Sequence, residues 1–260
     1  MRGGKNRKFQ RPHPDQAKQG PSPLPRIERE MGVPIPGEIL PQDQWVQTAL
    51  KKLPDVGPLS IAEIFGRTAP LVVDLGCGNG RFSLGSAWSR KGMDHLAADI
   101  LPVVIRYATR RGNQRGLSNL RFLVCDARRL VRNLLPPGSA AEIHCYHPQP
   151  YDDPRMRGQR LITPSFLAEC VRALQPGGQF FVQTDHAGYW SGIRDLAAQF
   201  FEFNERIGRW NDSPKGRTRR EIHSLKKGMP IYRGHGIVPQ GMTWEKANEL
   251  ANSLEKSDSL

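Results

Sequence analysis

No apolar run in this chain approaches the ~20 residues that span a bilayer. Its clearest runs, residues 71–73 and 180–182, are of strand size. The first 20 residues are basic but lack the apolar segment of a secretory signal. Cysteine is sparse. The four present (Cys77, Cys125, Cys145, Cys170) form no Cys-x-x-Cys pair and no framework spacing, which excludes a disulfide scaffold and points to reduced thiols in a cytoplasmic protein. His144, Cys145 and His147 crowd one segment without a second ligand pair, so no metal is expected. Acidic residues are in deficit, 25 against 38 Lys and Arg, for a formal net charge of +13. Such an imbalance suits a polyanion, and nucleic acid is the default partner; a basic protein without a specific partner is the plainer alternative.

The surplus charge is patterned. Residues 1–30 carry eight basic side chains against three acidic, residues 101–135 eight against one, and residues 205–235 nine against three, so the rest of the chain is net acidic. Ten of the 22 prolines lie in residues 1–60. The stretch 1–45 therefore reads as a basic, Pro-rich arm with too little apolar surface to offset its ordering entropy. Residues 46–240 read as one domain and 241–260 as a polar C-terminal helix with its tail.

Within the domain, short apolar runs alternate with helical segments. Strands are expected at 71–75, 95–99, 121–126, 142–146 and 179–184. Helices are expected near 80–90, 102–115, 127–134, 164–174 and 188–200. Pro102 stands in a helix first turn, Thr163-Pro164 reads as an N-cap with Pro at N1, and Pro176-Gly177-Gly178 stops the helix before the fifth strand. Strand–helix alternation of this kind demands parallel pairing and right-handed crossovers. The expectation is a doubly wound, Rossmann-like, mostly parallel seven-stranded sheet. Residues 201–207 and a stretch near Ile231 supply its antiparallel edge hairpin.

The segment Asp74-Leu75-Gly76-Cys77-Gly78-Asn79-Gly80 turns out of the first strand into a helix, so Gly76, Gly78 and Gly80 can bring backbone close to a ligand. Asp99 ends the second strand, where a ribose diol is gripped, and Asp126 ends the third. A dinucleotide fingerprint needs glycine where this chain has Arg81. Asp74 would repel a pyrophosphate but suits the positively charged amino-acid end of S-adenosylmethionine. Asp126, with the Ala127 backbone, would meet the adenine amino edge.

This set resembles the class I S-adenosylmethionine-dependent methyltransferases, as does Leu174-Gln175-Pro176-Gly177-Gly178. Downstream come His147-Pro148-Gln149-Pro150-Tyr151, Gln183-Thr184-Asp185, Thr218-Arg219-Arg220-Glu221 and Arg233-Gly234-His235-Gly236. In that order and spacing, residues 70–236 resemble the tRNA (guanine-N7-)-methyltransferase family. The resemblance implies methylation of a variable-loop guanosine in tRNA. It implies Asp74, Asp99 and Asp126 as cofactor acids, with Asp185 and Thr218 to Glu221 as substrate-binding positions. It also implies Arg155 and Arg160 as a basic stretch. Three positions depart from the family pattern: Gln149 replaces an Asp and Tyr151 a Trp in the turn, and Asp153 stands where a Lys is usual.

Guanine N7 has a free lone pair and no proton to lose, so alignment matters more than a base. Asp185 and Glu221 are expected to accept from guanine N1–H and its amino group, Gln149 to support cofactor or base, and Tyr151 to stack on the base. Asp185 as a plain helix N-cap is the structural alternative. Arg106, Arg110, Arg111 and Arg115 on one helix could face RNA phosphates, a solvated helix face being the alternative, and Arg217, Arg219, Arg220, Lys226 and Lys227 near the Thr-x-x-Glu stretch are expected where RNA backbone passes. A cytoplasmic monomer without membrane or metal is anticipated. Two rivals stand. The Pro148-Gln149-Pro150-Tyr151 turn is similar to that of amino-group methyltransferases. The lost carboxylate at 149 also fits an RNA-binding protein that keeps the fold without catalysis.

Overall fold

The structure, a computed structural model, describes residues 26–257; the reading of 1–25 as an arm lies outside them. Five strands carry the α/β alternation: β1 (Leu71–Leu75), β2 (Asp94–Asp99), β3 (Leu120–Val124), β4 (Ala140–Tyr146) and β5 (Leu174–Thr184). Between and after them lie α1 (Arg81–Ser89), α2 (Pro102–Gln114), α3 (Pro164–Ala173) and α4 (Ala187–Phe200). Then follow β6 (Glu202–Glu205), α5 (Arg219–Lys226), β7 (Tyr232–Ile237) and α6 (Trp244–Ser257). The seven strands form one sheet in the order β3-β2-β1-β4-β5-β7-β6. The first five pair in parallel, and β7 runs antiparallel between β5 and β6. All five residues of β1 are buried, as a strand covered on both faces requires.

The expected caps form. Thr163 Oγ1 accepts from the Phe166 amide (3.2 Å), with Pro164 opening α3. The Pro-Gly-Gly segment does more than stop that helix. Ala140 pairs with Leu174 and Glu142 with Gln179, so residues 175–178 bulge out of a strand already begun. The main core joins the sheet to α3, α4 and α6; Ala247 and Ala251, four apart on α6, are both buried there. The helix assigned to a tail is therefore part of the domain.

Residues 26–45 are not a free arm. Arg29–Glu30 and Val33–Pro34 form a small hairpin, here called the strap, and Ile35 is fully buried in the second core, under α1 and α2. Glu28 takes Arg111 (2.7 Å) and Arg115 (3.0 Å), both almost fully buried. Glu28, an acid that looks solvated in a polar stretch, is satisfied by cations some 80 residues away.

Candidate functional site

The Gly loop leaves the carboxyl end of β1. Gly80 has φ +77°, and a Cβ there would come within 2.8–2.9 Å of Phe122 and Ala108, so only glycine lets α1 start against the sheet. Asp99 fixes the loop: Oδ2 accepts from the Gly78 amide and Oδ1 from the Leu101 amide, each at 2.9 Å. Beside it lies a cavity of about 490 Å³. One wall holds Asp74, Gly76, Gly78 and Asn79; the other holds Thr218, Arg219, Arg220 and His223, with Tyr146 and His147 also lining it. Ligands of such sheets bind at the carboxyl ends of the strands, where this cavity stands.

Asp74 is buried and accepts from the Ser83 hydroxyl. Burial, with the Asp99 charge nearby, pushes its carboxyl up to about 7 despite that bond. It is thus prepared for a cation. Asp126 is exposed at the end of β3; Oδ1 caps the short helix through the Arg129 amide (3.0 Å). Asp99 pairs in register with Val124, and exposed Ile100, Leu101 and Val124 make an apolar margin about the two acids and Ala127.

The far wall is held from behind. Thr218 Oγ1 accepts from the Glu221 amide (3.0 Å) and caps α5. Glu221 itself has no exposed surface. Oε1 takes Arg233 (2.6 Å), while Oε2 takes the Arg217 amide (2.7 Å) and Gln183 (3.2 Å). Its carboxylate is consumed by protein donors and does not meet a base. This corrects its expected place in guanine recognition: Glu221 positions the Thr218–Arg220 turn. Asp185 stands behind the wall too. It binds Arg220 Nε (3.0 Å), Ser224 Oγ (2.9 Å) and His147 Nδ1 (3.3 Å), and these donors hold it far below the usual carboxylate range. The N-cap of α4 is its neighbour His186, whose Nδ1 accepts from the Tyr189 amide.

His147 was not among the expected site residues. It has φ +54° and precedes Pro148, an uncommon backbone state for a residue with a side chain. Trp210 Nε1 can only donate, so Gln183 Oε1, at 2.7 Å, is the acceptor. Gln183 Nε2 then donates to His147 Nε2 (3.1 Å), which leaves the His147 proton on Nδ1, toward Asp185. The only cue in the sequence was the unusual His-Pro junction at the end of β4.

The turn that follows does not reach the cavity wall. Gln149 is exposed, and Tyr151 has φ +44°. Arg155 pairs with Asp153 (2.6 Å), which also caps the turn Pro154–Gln159. Arg160 donates to the Pro150 carbonyl (2.5 Å) and lies 4.6 Å over Tyr189.

The basic residues divide. Arg106, Arg110, Arg219, Arg220, Lys226 and Lys227 are exposed. Arg111 and Arg115 are buried on Glu28 and face no phosphate. Arg217 is held by Asp212 (2.8 Å) and the Tyr146 hydroxyl, 4.1 Å over Trp210. These three are corrected from RNA contacts to structural cations. Among the described residues, no helix is long and apolar enough to cross a membrane, and no His, Cys, Asp and Glu cluster is placed to hold a metal.

A family described as "Putative methyltransferase" matches residues 68–233. A tRNA (guanine-N(7)-)-methyltransferase of Nitrosococcus oceani is 30% identical over 176 residues, 68% of this chain and 75% of that one. One of Rubrobacter xylanophilus is 31% identical over 191 residues, 70% of this chain and 82% of that one. One of Arthrobacter sp. strain FB24 is 33% identical over 67% of this chain, which spans only 56% of that relative. The crystal structure of the 16S rRNA methyltransferase KamB shares the fold, with 16% identity and a TM-score of 0.55 over 74% of this chain and 98% of that one.

Proposed function

The chain belongs to this methyltransferase family, that of the relatives named tRNA (guanine-N(7)-)-methyltransferase, and on that premise we propose that it methylates guanine N7 in tRNA with S-adenosylmethionine as donor, forming 7-methylguanosine. The observation that carries the reading is one cavity with a buried acid and a Gly loop on one wall and a cationic turn on the other. When bound, the cofactor would supply a sulfonium methyl whose carbon the N7 lone pair attacks in line as the carbon–sulfur bond breaks, so that S-adenosylhomocysteine leaves and the positive charge passes to the base. The residues present fit that group. Asp74, buried and short of a cation, receives the ammonium. Asp99 offers the lone pairs left by Gly78 and Leu101 to the ribose hydroxyls. Asp126 and the Ala127 backbone face the adenine edge, with Ile100, Leu101 and Val124 beside it.

On the substrate side, Thr218, Arg219 and Arg220 take the nucleotide, and Arg155 and Arg160 follow the RNA backbone further out. Asp185, held ionised by three donors, lies behind Arg220 and His147, where its charge favours the cation that develops on the base. Alignment by these groups replaces proton transfer. Gln149 and Tyr151, on an exposed turn, serve the base only when tRNA brings the turn inward. The amino-group reading draws no support from an exposed Gln149. We read the protein as a cytoplasmic monomer acting on tRNA.

The test uses labelled S-adenosylmethionine, unmodified tRNA and nucleoside mass spectrometry. Label in 7-methylguanosine is expected. Label on an exocyclic nitrogen, or cofactor binding without transfer, overturns the assignment.

A further inference from the structure

Arg81 opens α1 where a dinucleotide loop would have glycine, and none of the roles above uses it. Its side chain is only 5% exposed. Nη2 donates to the Pro34 carbonyl (2.9 Å), and Nε makes a long contact with the Gly216 carbonyl (3.5 Å). Nη1, although buried, has no hydrogen-bond partner among the described residues. The nearest acid is Glu30 of the strap, at 3.7 Å, and the oxygen it turns to Arg81 is itself buried and unpartnered. Glu30 is already shared: its other oxygen takes Asn79 and stands 3.6 Å from Arg111. A buried donor left open is costly, more so on a cation, and an incoming anion removes that cost.

Arg81 belongs to the wall of the 490 Å³ cavity, which also holds Asp74. The two stand seven positions apart in sequence, across the Gly loop. A polyanion is a poor guest here, because Asp74 and Asp99 oppose it. One carboxylate carried beside an ammonium suits both charges at once. We propose that Arg81 receives the carboxylate of the cofactor's amino-acid end while Asp74 receives its ammonium, so that the loop reads a zwitterion with one residue from each of its ends. The inference rests on S-adenosylmethionine being the cofactor. It also explains why the strap stops short of Arg81: a fully closed Glu30–Arg81 pair would compete with the ligand.

The test is titration calorimetry of the full chain with three ligands. They are S-adenosylmethionine, its decarboxylated form, and 5′-methylthioadenosine, which lacks the amino-acid end. Arg81→Gln should weaken S-adenosylmethionine about 10- to 100-fold, the range of a charge-assisted bond, and leave the other two unchanged. Asp74→Asn should weaken both ammonium-bearing ligands and spare 5′-methylthioadenosine. Equal losses for all three ligands in Arg81→Gln, or no loss for S-adenosylmethionine, overturn the proposal. Should Arg81→Gln fail to fold, the native chain decides: equal affinity for S-adenosylmethionine and its decarboxylated form overturns it, and clear preference for the carboxylate supports it. Failure of all three ligands to bind the native chain overturns the cofactor reading itself, and the proposal with it.

Discussion

Asp74 is a carboxylate that the fold has made reluctant to ionise, and this gives the residue a pH signature. Its folded value is about 7, above the ordinary 3.8. The group therefore adds stability that is fully present below the ordinary carboxylate range and is lost as pH rises through about 7. Each pH unit in that window is worth about 1.4 kcal/mol. Urea unfolding of the ligand-free protein should show stability falling from pH 5 to 8, and Asp74→Asn should flatten the fall; equal slopes would exclude the account. Binding of a cationic ligand has the opposite sign. S-adenosylmethionine should bind more weakly as pH drops below 7, with proton release that calorimetry in buffers of different ionisation enthalpy will detect and Asp74→Asn will abolish.

At the scale of elements, α5 and β7 depend on one another through a buried ion pair. Arg233→Met removes the cation that faces the fully buried Glu221, which should cost about 3–5 kcal/mol in urea unfolding and loosen the Thr218–Arg220 turn. The double variant Arg233→Met, Glu221→Leu should recover much of that stability; a double variant no better than the single one contradicts the assignment. Most elements were legible beforehand. Strand runs, the Thr163-Pro164 start and the Gly loop are local signals, and their positions held to within a few residues. The strap was not legible. Glu28, just before it, binds Arg111 and Arg115 across some 80 residues, and Pro-rich polar sequence carries no periodicity that tells a packed strap from a solvated tail. The same holds within the site. Asp74 and Asp99 are marked by strand ends, whereas the burial of Glu221 and the seating of His147 arise from β5 and β7, distant in sequence.

For the whole molecule, the proposed function makes charge decide how tRNA would be met. With Arg111, Arg115 and Arg217 committed internally, binding falls to exposed cations such as Arg106, Arg110, Arg219, Arg220, Lys226 and Lys227. If about six phosphates are neutralised, tRNA affinity should fall about 10³-fold between 50 and 200 mM salt, and Arg219→Gln with Lys226→Gln should lower the slope by nearly two. A flat dependence would contradict this surface. The strand order carries a consequence of another kind. Because β7 lies between β5 and β6, the edge of the sheet has nothing to pair with until residue 237 has been synthesised. A ribosome must therefore release the chain as far as residue 237 before the Thr218–Arg220 wall finds its support. Nascent chains halted before residue 232 should remain sensitive to protease throughout residues 200–230, and full protection should arrive in a single late step.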